Sequence, residues 1–166
     1  MSWVKRLSLL ALASLASCYS FSGGGGMPSH IKTAYVEPAE NQTTRFGISE
    51  VLTQQLLEAA QDRLGLMLAA EDQADAIIRV TVSRYSDQAV NFQAEDGVGA
   101  NVFTRRITVT ATVEILDIVN REYIYESASM SGTGEYQPDV QTEDDGTALA
   151  LENLVQKIVD GAQSQW

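Results

Sequence analysis

One thiol, one imidazole and three adjacent carboxylate pairs are the residues of this 166-residue chain with types suited to chemistry: Cys18, His30, Glu71/Asp72, Glu95/Asp96 and Asp144/Asp145. Nucleophilic catalysis needs a base beside the nucleophile, a structural zinc needs four Cys or His ligands, and a phosphate loop needs Lys and Ser/Thr after its glycines. The chain meets none of these conditions. His30 lies far in sequence from any nucleophile and reads as a solvated or strand-edge residue, and one His with one Cys cannot complete a zinc site. The run "SGGGG" ending at Gly26 lacks the Lys and precedes a strand rather than a helix, so it reads as linker. The carboxylate pairs fall in loops or at a helix start, where they are solvated charge or caps, and their spacing does not match a calcium loop. The expectation is a protein that is not an enzyme and holds no metal or cofactor.

Cys18 has a different chemistry. Lys5 and Arg6 precede an apolar run from Leu7 to Ala16, and Leu15-Ala16-Ser17 place small residues directly before the cysteine. A basic, then apolar, then small-residue order is a secretory leader. With the cysteine it resembles the lipobox of bacterial lipoproteins, in which the peptide before the cysteine is removed and the cysteine becomes the lipid attachment point. That resemblance implies a leader over residues 1–17, an acylated Gly/Ser-rich tether over 18–29 and a single domain over 30–166. Each buried methylene contributes about 0.8 kcal/mol, so two or more acyl chains hold a protein on its membrane. In lipoproteins an Asp after the cysteine favours the inner membrane; Tyr19 stands here, which implies the periplasmic face of the outer membrane.

The net charge is −11. Removing Lys5 and Arg6 with the leader leaves nine basic residues against 22 acidic ones, a net −13. Nucleic acid is excluded as a partner, because its binding needs a basic footprint. Adsorption to anionic lipid by charge is disfavoured for the same reason. No apolar stretch reaches the roughly 18 to 20 residues of a membrane-spanning helix.

Around these residues the elements follow from periodicity. "HIKTAYVEP" is a strand stopped by Pro38. In "ISEVLTQQLLEAAQDRLG" the residues Ile48, Val51, Leu52, Leu56, Ala59, Ala60 and Leu64 form one stripe, an amphipathic helix ended by Gly65. "ADAIIRVTVSRY" is a strand with Ile78, Val80 and Val82 on one face and Arg79, Thr81 and Ser83 on the other. A polar stretch, roughly 86–104, separates it from "RRITVTATVEILDIV", where Ile107, Val109, Ala111, Val113 and Ile115 alternate with Thr108, Thr110, Thr112 and Glu114. "VNRE" turns the chain into "YIYESASMSGTGEY", so these two strands form a hairpin. Asp144 and Asp145 open a last helix whose apolar face is Ala148, Leu151, Leu154, Val155, Ile158 and Ala162. The order β-α-β-β-β-α predicts an α+β, two-layer sandwich: two helices packed on one face of a four-stranded mixed sheet. The threonine face of the sheet is then wet or covered by a partner.

The colinear set Cys18, Tyr19, Phe21, Gly23 to Gly26, Pro28, Ile31-Lys32-Thr33, Pro38 and Glu40-Asn41 with Thr43, closed by a leucine-rich helix and Trp166, resembles the lipopolysaccharide-assembly lipoprotein family, LptE. The glycine often found after the cysteine is absent, and Ala39 stands where a Phe is expected. The resemblance implies an outer-membrane lipoprotein that plugs and helps assemble a large LptD-type β-barrel and assists lipopolysaccharide insertion into the outer leaflet. Its partners would be that barrel, lipopolysaccharide and the membrane through the N-terminal anchor. Guanidinium groups suit lipopolysaccharide phosphates. Antiparallel pairing of the second and third long strands would bring Arg84, Arg105 and Arg106 to one end of the sheet, with Arg79 further in. The other reading of these arginines is as ordinary strand-end charges paired with Asp87 or Glu95. A second family reading, the lipoproteins of curli secretion and penicillin-binding-protein activation, would place the chain on a secretion pore or a peptidoglycan synthase.

Overall fold

A computed structural model describes residues 27–94 and 100–164, with side chains described outside 91–103. Cys18, the leader, most of the tether and Glu95/Asp96 lie outside the described residues. Among the described residues six strands and two α-helices follow in the order β1 (Thr33–Val36), β2 (Glu40–Asn41), α1 (Ile48–Asp62), β3 (Met67–Leu68), β4 (Ala76–Ala94), β5 (Ala100–Asp117), β6 (Glu122–Tyr136) and α2 (Glu143–Ser164), with a short 3-10 turn at Glu71–Gln73 between β3 and β4. The sheet is mixed. Its path runs β3-β1-β4-β5-β6, with β2 paired to β4. β1 is parallel to β3 and β4, while β4-β5 and β5-β6 are antiparallel.

The two-layer α+β sandwich is therefore the architecture, with six strands rather than four. The two additional strands, β2 and β3, are dipeptides. Alternation cannot be read over two residues, and they form because longer neighbours offer them ladder partners. The larger departure is the stretch 86–104, expected as a loop. β4 continues to Ala94 and β5 begins at Ala100, so the hairpin is much longer than its apolar alternation. A period-two alternation is present there, Val90, Phe92 and Ala94 against Asn91 and Gln93, but it spans only five residues beside the glycine-bearing EDGVG, too short to mark a strand by itself.

Ile78, Val80 and Val82 of β4 and all five alternating apolar residues of β5 are buried under the helices. From α1, Ile48, Leu52, Leu56, Ala59 and Ala60 meet them. Val51, expected on the stripe, is exposed, since its position lies at the stripe's margin. α2 contributes Ala150, Leu151, Leu154, Val155, Ile158, Val159 and Ala162; Ala148, expected on this face, is exposed, because the stripe is rotated toward Ala150 and Val159.

Local chemistry sets the ends. Asn41 Oδ1 accepts the Thr43 backbone N–H at 3.0 Å and its hydroxyl at 2.7 Å, an Asx turn that explains both residue types after Glu40. Gly47, at φ +81°, lets the chain enter α1 in the left-handed region. At the head of α2, Thr142 and Asp145 cap reciprocally. The Asp145 N–H donates to Thr142 Oγ1 at 3.2 Å, and the Thr142 N–H donates to Asp145 Oδ2 at 2.8 Å. These bonds, first from the Thr142 backbone and then from its hydroxyl, hold the Asp145 carboxyl below its ordinary pKa.

Candidate functional site

A bulge in β4 decides which residues share the helix-free face of the sheet. Val82 pairs with Ala111 but Arg84 pairs with Thr110, so Ser83 is an extra residue and side-chain parity reverses beyond it. Before the bulge the even residues of β4 face the helices; after it Tyr85 and Asp87 do, opposite Val109 and Ile107. Arg84 therefore joins Arg79 and Thr81 on the helix-free face, beside Arg106, Thr108, Thr110, Thr112 and Glu114 of β5. Strict alternation from Ile78 would have put Arg84 among the core residues.

From Arg79 to Arg106 this face is a broad polar wall, and only the end row Tyr35-Ile77-Leu116-Tyr123 is apolar. Its threonines are half-buried by neighbouring side chains, and no element among the described residues covers them. Thr110 Oγ1 and Ser131 Oγ lie 2.9 Å apart across β5 and β6, and the Thr112 hydroxyl donates to the Ala128 carbonyl at 3.2 Å. Arg79 donates from Nε and Nη2 to the two Glu37 oxygens, both at 2.8 Å, and from Nη1 to Glu114 at 3.0 Å. The hydrogen bonds from Arg79 lower the Glu37 carboxyl pKa and raise that of the guanidinium. Arg106 donates to Glu135 Oε1 at 2.9 and 2.6 Å.

The expected meeting of Arg84, Arg105 and Arg106 at one end of the sheet does not occur. Arg105 and Arg106 are consecutive strand residues and point to opposite faces. Arg105 is on the helix side, where its Nε donates to Asp87 at 2.9 and 3.0 Å and Tyr136 Oη donates to the same carboxylate at 2.9 Å. This is the pairing with Asp87 that the second reading of these arginines named. On the helix-free face, Arg84 lies opposite Thr110 and Arg106 opposite Gln88, four residues or about 13 Å apart along the strands. Arg79, opposite Glu114, is about 13 Å from Arg84 in the other direction, the four residues from Thr110 to Glu114 on the unbulged strand. The three arginines form a row. Arg84 is exposed and is the member without a salt bridge among the described residues.

Two further polar groups escaped sequence reasoning because their partners are remote. His30 Nε2 lies 2.6 Å from Oδ2 of Asp117, 87 residues away, and 3.0 Å from Asn120 Nδ2. Burial would raise the Asp117 carboxyl, but the Asn120 backbone N–H, His30 and the Asn120 amide together hold it below its ordinary value. Near the opposite end, the Tyr85 hydroxyl donates to Glu143 Oε1 at 2.7 Å and lies 3.1 Å from Thr147 Oγ1; burial pushes the Tyr85 phenol up to about 12. Arg45 lies 5.9 Å over the Tyr85 ring and pairs with Asp144, tying the approach to α1 to the head of α2. Among the described residues no group of three or more His, Cys, Asp and Glu is placed to hold a metal, and no helix is long and apolar enough to cross a membrane.

The family model for lipopolysaccharide assembly, LptE, matches residues 31–162. No curated protein matches the chain. Among solved structures, the PelC dodecamer from Paraburkholderia phytofirmans is similar with TM-score 0.55 and 14% identity, over 84% of this chain and 95% of that one. Uncharacterized lipoprotein B from Nitrosomonas europaea is similar with TM-score 0.55 and 11% identity, over 88% of this chain and 90% of that one. The hypothetical protein CT253 from Chlamydia trachomatis is similar with TM-score 0.55 and 9% identity, over 81% and 97%. At these identities the likeness is one of fold.

Proposed function

Because this chain belongs to the lipopolysaccharide-assembly family LptE, we propose that it is an outer-membrane lipoprotein, anchored at the periplasmic face through Cys18, that plugs and helps assemble an LptD-type β-barrel and assists delivery of lipopolysaccharide to the outer leaflet. The observation that carries this reading is the uncovered polar face of the sheet. A wall of threonines and internally paired charges matches the water-filled interior of a large barrel, whose inward residues are polar. The helices bury the other face, so the domain presents that wall without losing its core. No chemistry is required of it. The role is that of a plug and folding partner, and Arg84 is the residue best placed to meet a lipopolysaccharide phosphate, since Arg79 and Arg106 already hold carboxylates.

The family match favours this role over one on a curli-type secretion pore or a peptidoglycan synthase. Affinity purification of the full chain from its envelope tests the choice. A large outer-membrane β-barrel of the lipopolysaccharide pathway is expected to co-purify; recovery of a secretion pore or a synthase in its place rejects the proposal.

A further inference from the structure

Five of the exposed large apolar residues gather at one end of the sheet. Met67 is 64% exposed, Val119 62% and Tyr123 51%, with Leu68 and Ile118 close behind. The topology makes them neighbours on a rim. The Met67 N–H donates to the Lys32 carbonyl at 3.0 Å, and the Ile118 N–H donates to the Asp75 carbonyl at 2.9 Å. Tyr123 pairs with Leu116 one step inside the same turn. The path β3-β1-β4-β5 puts Met67 and Ile118 three strand spacings apart, about 14 Å.

The chain enters the domain at this rim. Met27 packs against the core and Ile31 N–H bonds back to the Pro28 carbonyl at 2.9 Å. His30 then fastens the entering segment to the β5-β6 turn through Asp117 and Asn120. Asp117 is satisfied by that clasp and Asp75 by Lys32 N–H, Thr33 N–H and Thr33 Oγ1 at 2.8, 2.9 and 2.9 Å, while Glu71, Asp72 and Glu122 are exposed at the same end, where a zwitterionic rather than an anionic surface accommodates them. Lys32 and Arg121 are exposed beside the apolar residues.

We infer that this rim is a membrane-contact surface that rests on the interface of a zwitterionic phospholipid leaflet. The inference rests on reading Cys18 as the point of lipid attachment. Eight residues lie between Cys18 and Met27, nine steps with a reach of about 30 Å when fully extended and about 15 to 18 Å on average for a Gly/Ser-rich chain. That reach holds the rim at the bilayer. Exposed Val140 follows Tyr136, which is level with Arg105, 12 residues along β5 from Asp117 and about 40 Å away, out of range of the tether along this axis. A rim this small is a weak binder alone, and the tether supplies the effective concentration that makes it sufficient. The net charge of −13 left once Lys5 and Arg6 go with the leader disfavours an anionic surface as the partner.

The test couples the full chain through Cys18, its only cysteine, to maleimide headgroups on vesicles of phosphatidylcholine and phosphatidylethanolamine, and follows amide hydrogen exchange. Amides from Asp117 to Ile124 are expected to exchange about fivefold more slowly on vesicles than in solution, with those around Val140 unchanged. Unchanged exchange at 117–124, or slowing around Val140 or Phe46 instead, overturns the rim. The double variant Met67→Asp, Val119→Asp changes two exposed side chains and is expected to abolish the slowing while core amides keep their protection; persistent slowing overturns the inference. The mass of the native N-terminus reports separately on acylation, so an unmodified Cys18 overturns the anchor itself, whereas unchanged exchange on chemically tethered vesicles overturns the rim alone.

Discussion

Gly132 of β6 lies directly beneath Ala150 of α2. A Cβ on residue 132 would stand 2.1 Å from the Ala150 carbonyl oxygen and 2.6 Å from the Leu154 nitrogen, both backbone atoms of the helix. Gly134 stands in the same relation to Gly146 and Ala150, at 2.2 and 2.6 Å. Helix and strand are in backbone contact here, and the approach lets Asn153 and Lys157 donate to the Thr133 and Ser131 carbonyls at 2.8 and 2.6 Å. These two carbonyls belong to the outermost strand, so the helix also covers part of an edge open to other chains. Gly132→Ala is therefore expected to destabilise the domain by about 3 kcal/mol or more, because a whole helix must move to admit one methyl group. Ser129→Ala, at an exposed position of the same strand, is expected to stay within about 0.5 kcal/mol. Chemical denaturation of the two variants checks the difference.

Acid should weaken the fold through Asp75. The Lys32 and Thr33 backbone N–H groups, then the Thr33 hydroxyl, lower its carboxyl pKa in the folded state. A folded value below the unfolded one, about 3.9, means that the stabilisation is fully present above that pH and is lost as pH falls through the folded value. Asp117 and Asp145 are shifted in the same direction and add to the same acid limb. Asp75→Asn is expected to be less stable than the parent at pH 7, and the gap should close as pH drops below about 4. Thermal melts across that range check it.

The arginines separate by role. Arg84→Ala is expected to leave the melting temperature unchanged and to weaken lipopolysaccharide binding about tenfold, the effect of one charge-assisted contact. Arg105→Ala should do the reverse. It leaves Asp87 with only Tyr136 as donor, at a site where the two charged side chains are 32% and 17% exposed, and is expected to cost about 1 to 2 kcal/mol. Titration with lipopolysaccharide and a melt on each variant distinguish the two.

The polar wall offers a steric test of the barrel proposal. Thr108 lies in the middle of the helix-free face, opposite Ser86 and Thr133, and is partly exposed. Thr108→Trp is expected to fold normally and to lose co-purification of the barrel, since a large ring would hold the wall off its partner. Retention of the barrel at parental yield by a folded Thr108→Trp would remove this face from the interface.

Much of the architecture was legible in the residues. The β5 alternation from Ile107 to Ile115 is uninterrupted, and all five apolar residues are buried as the period requires. The helix spans, the β5-β6 hairpin and the capping role of Asp145 also follow from local patterns. The hairpin beyond Ser86 did not, because its alternation, Val90, Phe92 and Ala94 against Asn91 and Gln93, spans only five residues beside the glycine-bearing EDGVG. Nor did the arginine row. Its expectation took 86–104 as a loop, with Arg84 ending one strand and Arg105 and Arg106 beginning the next; the continued ladder leaves Arg84 opposite Thr110, and consecutive Arg105 and Arg106 point to opposite faces.

The sequence alone determined what acts locally: an apolar period that selects helix or strand, a turn chemistry such as that of Asn41 and Thr43, and an order of residues around Cys18 that resembles a lipid-attachment signal. Each depends on neighbours within a few positions, so it is written in the chain itself. The tertiary structure decided what acts across distance. It set which face Arg84 joins, which carboxylate Arg105 holds, that His30 clasps Asp117 across 87 residues, and that Gly132 must be bare to admit α2. The physical reason is that register, bulges and backbone approach are fixed by pairing between remote segments, and no single segment carries a signal for its partner's position.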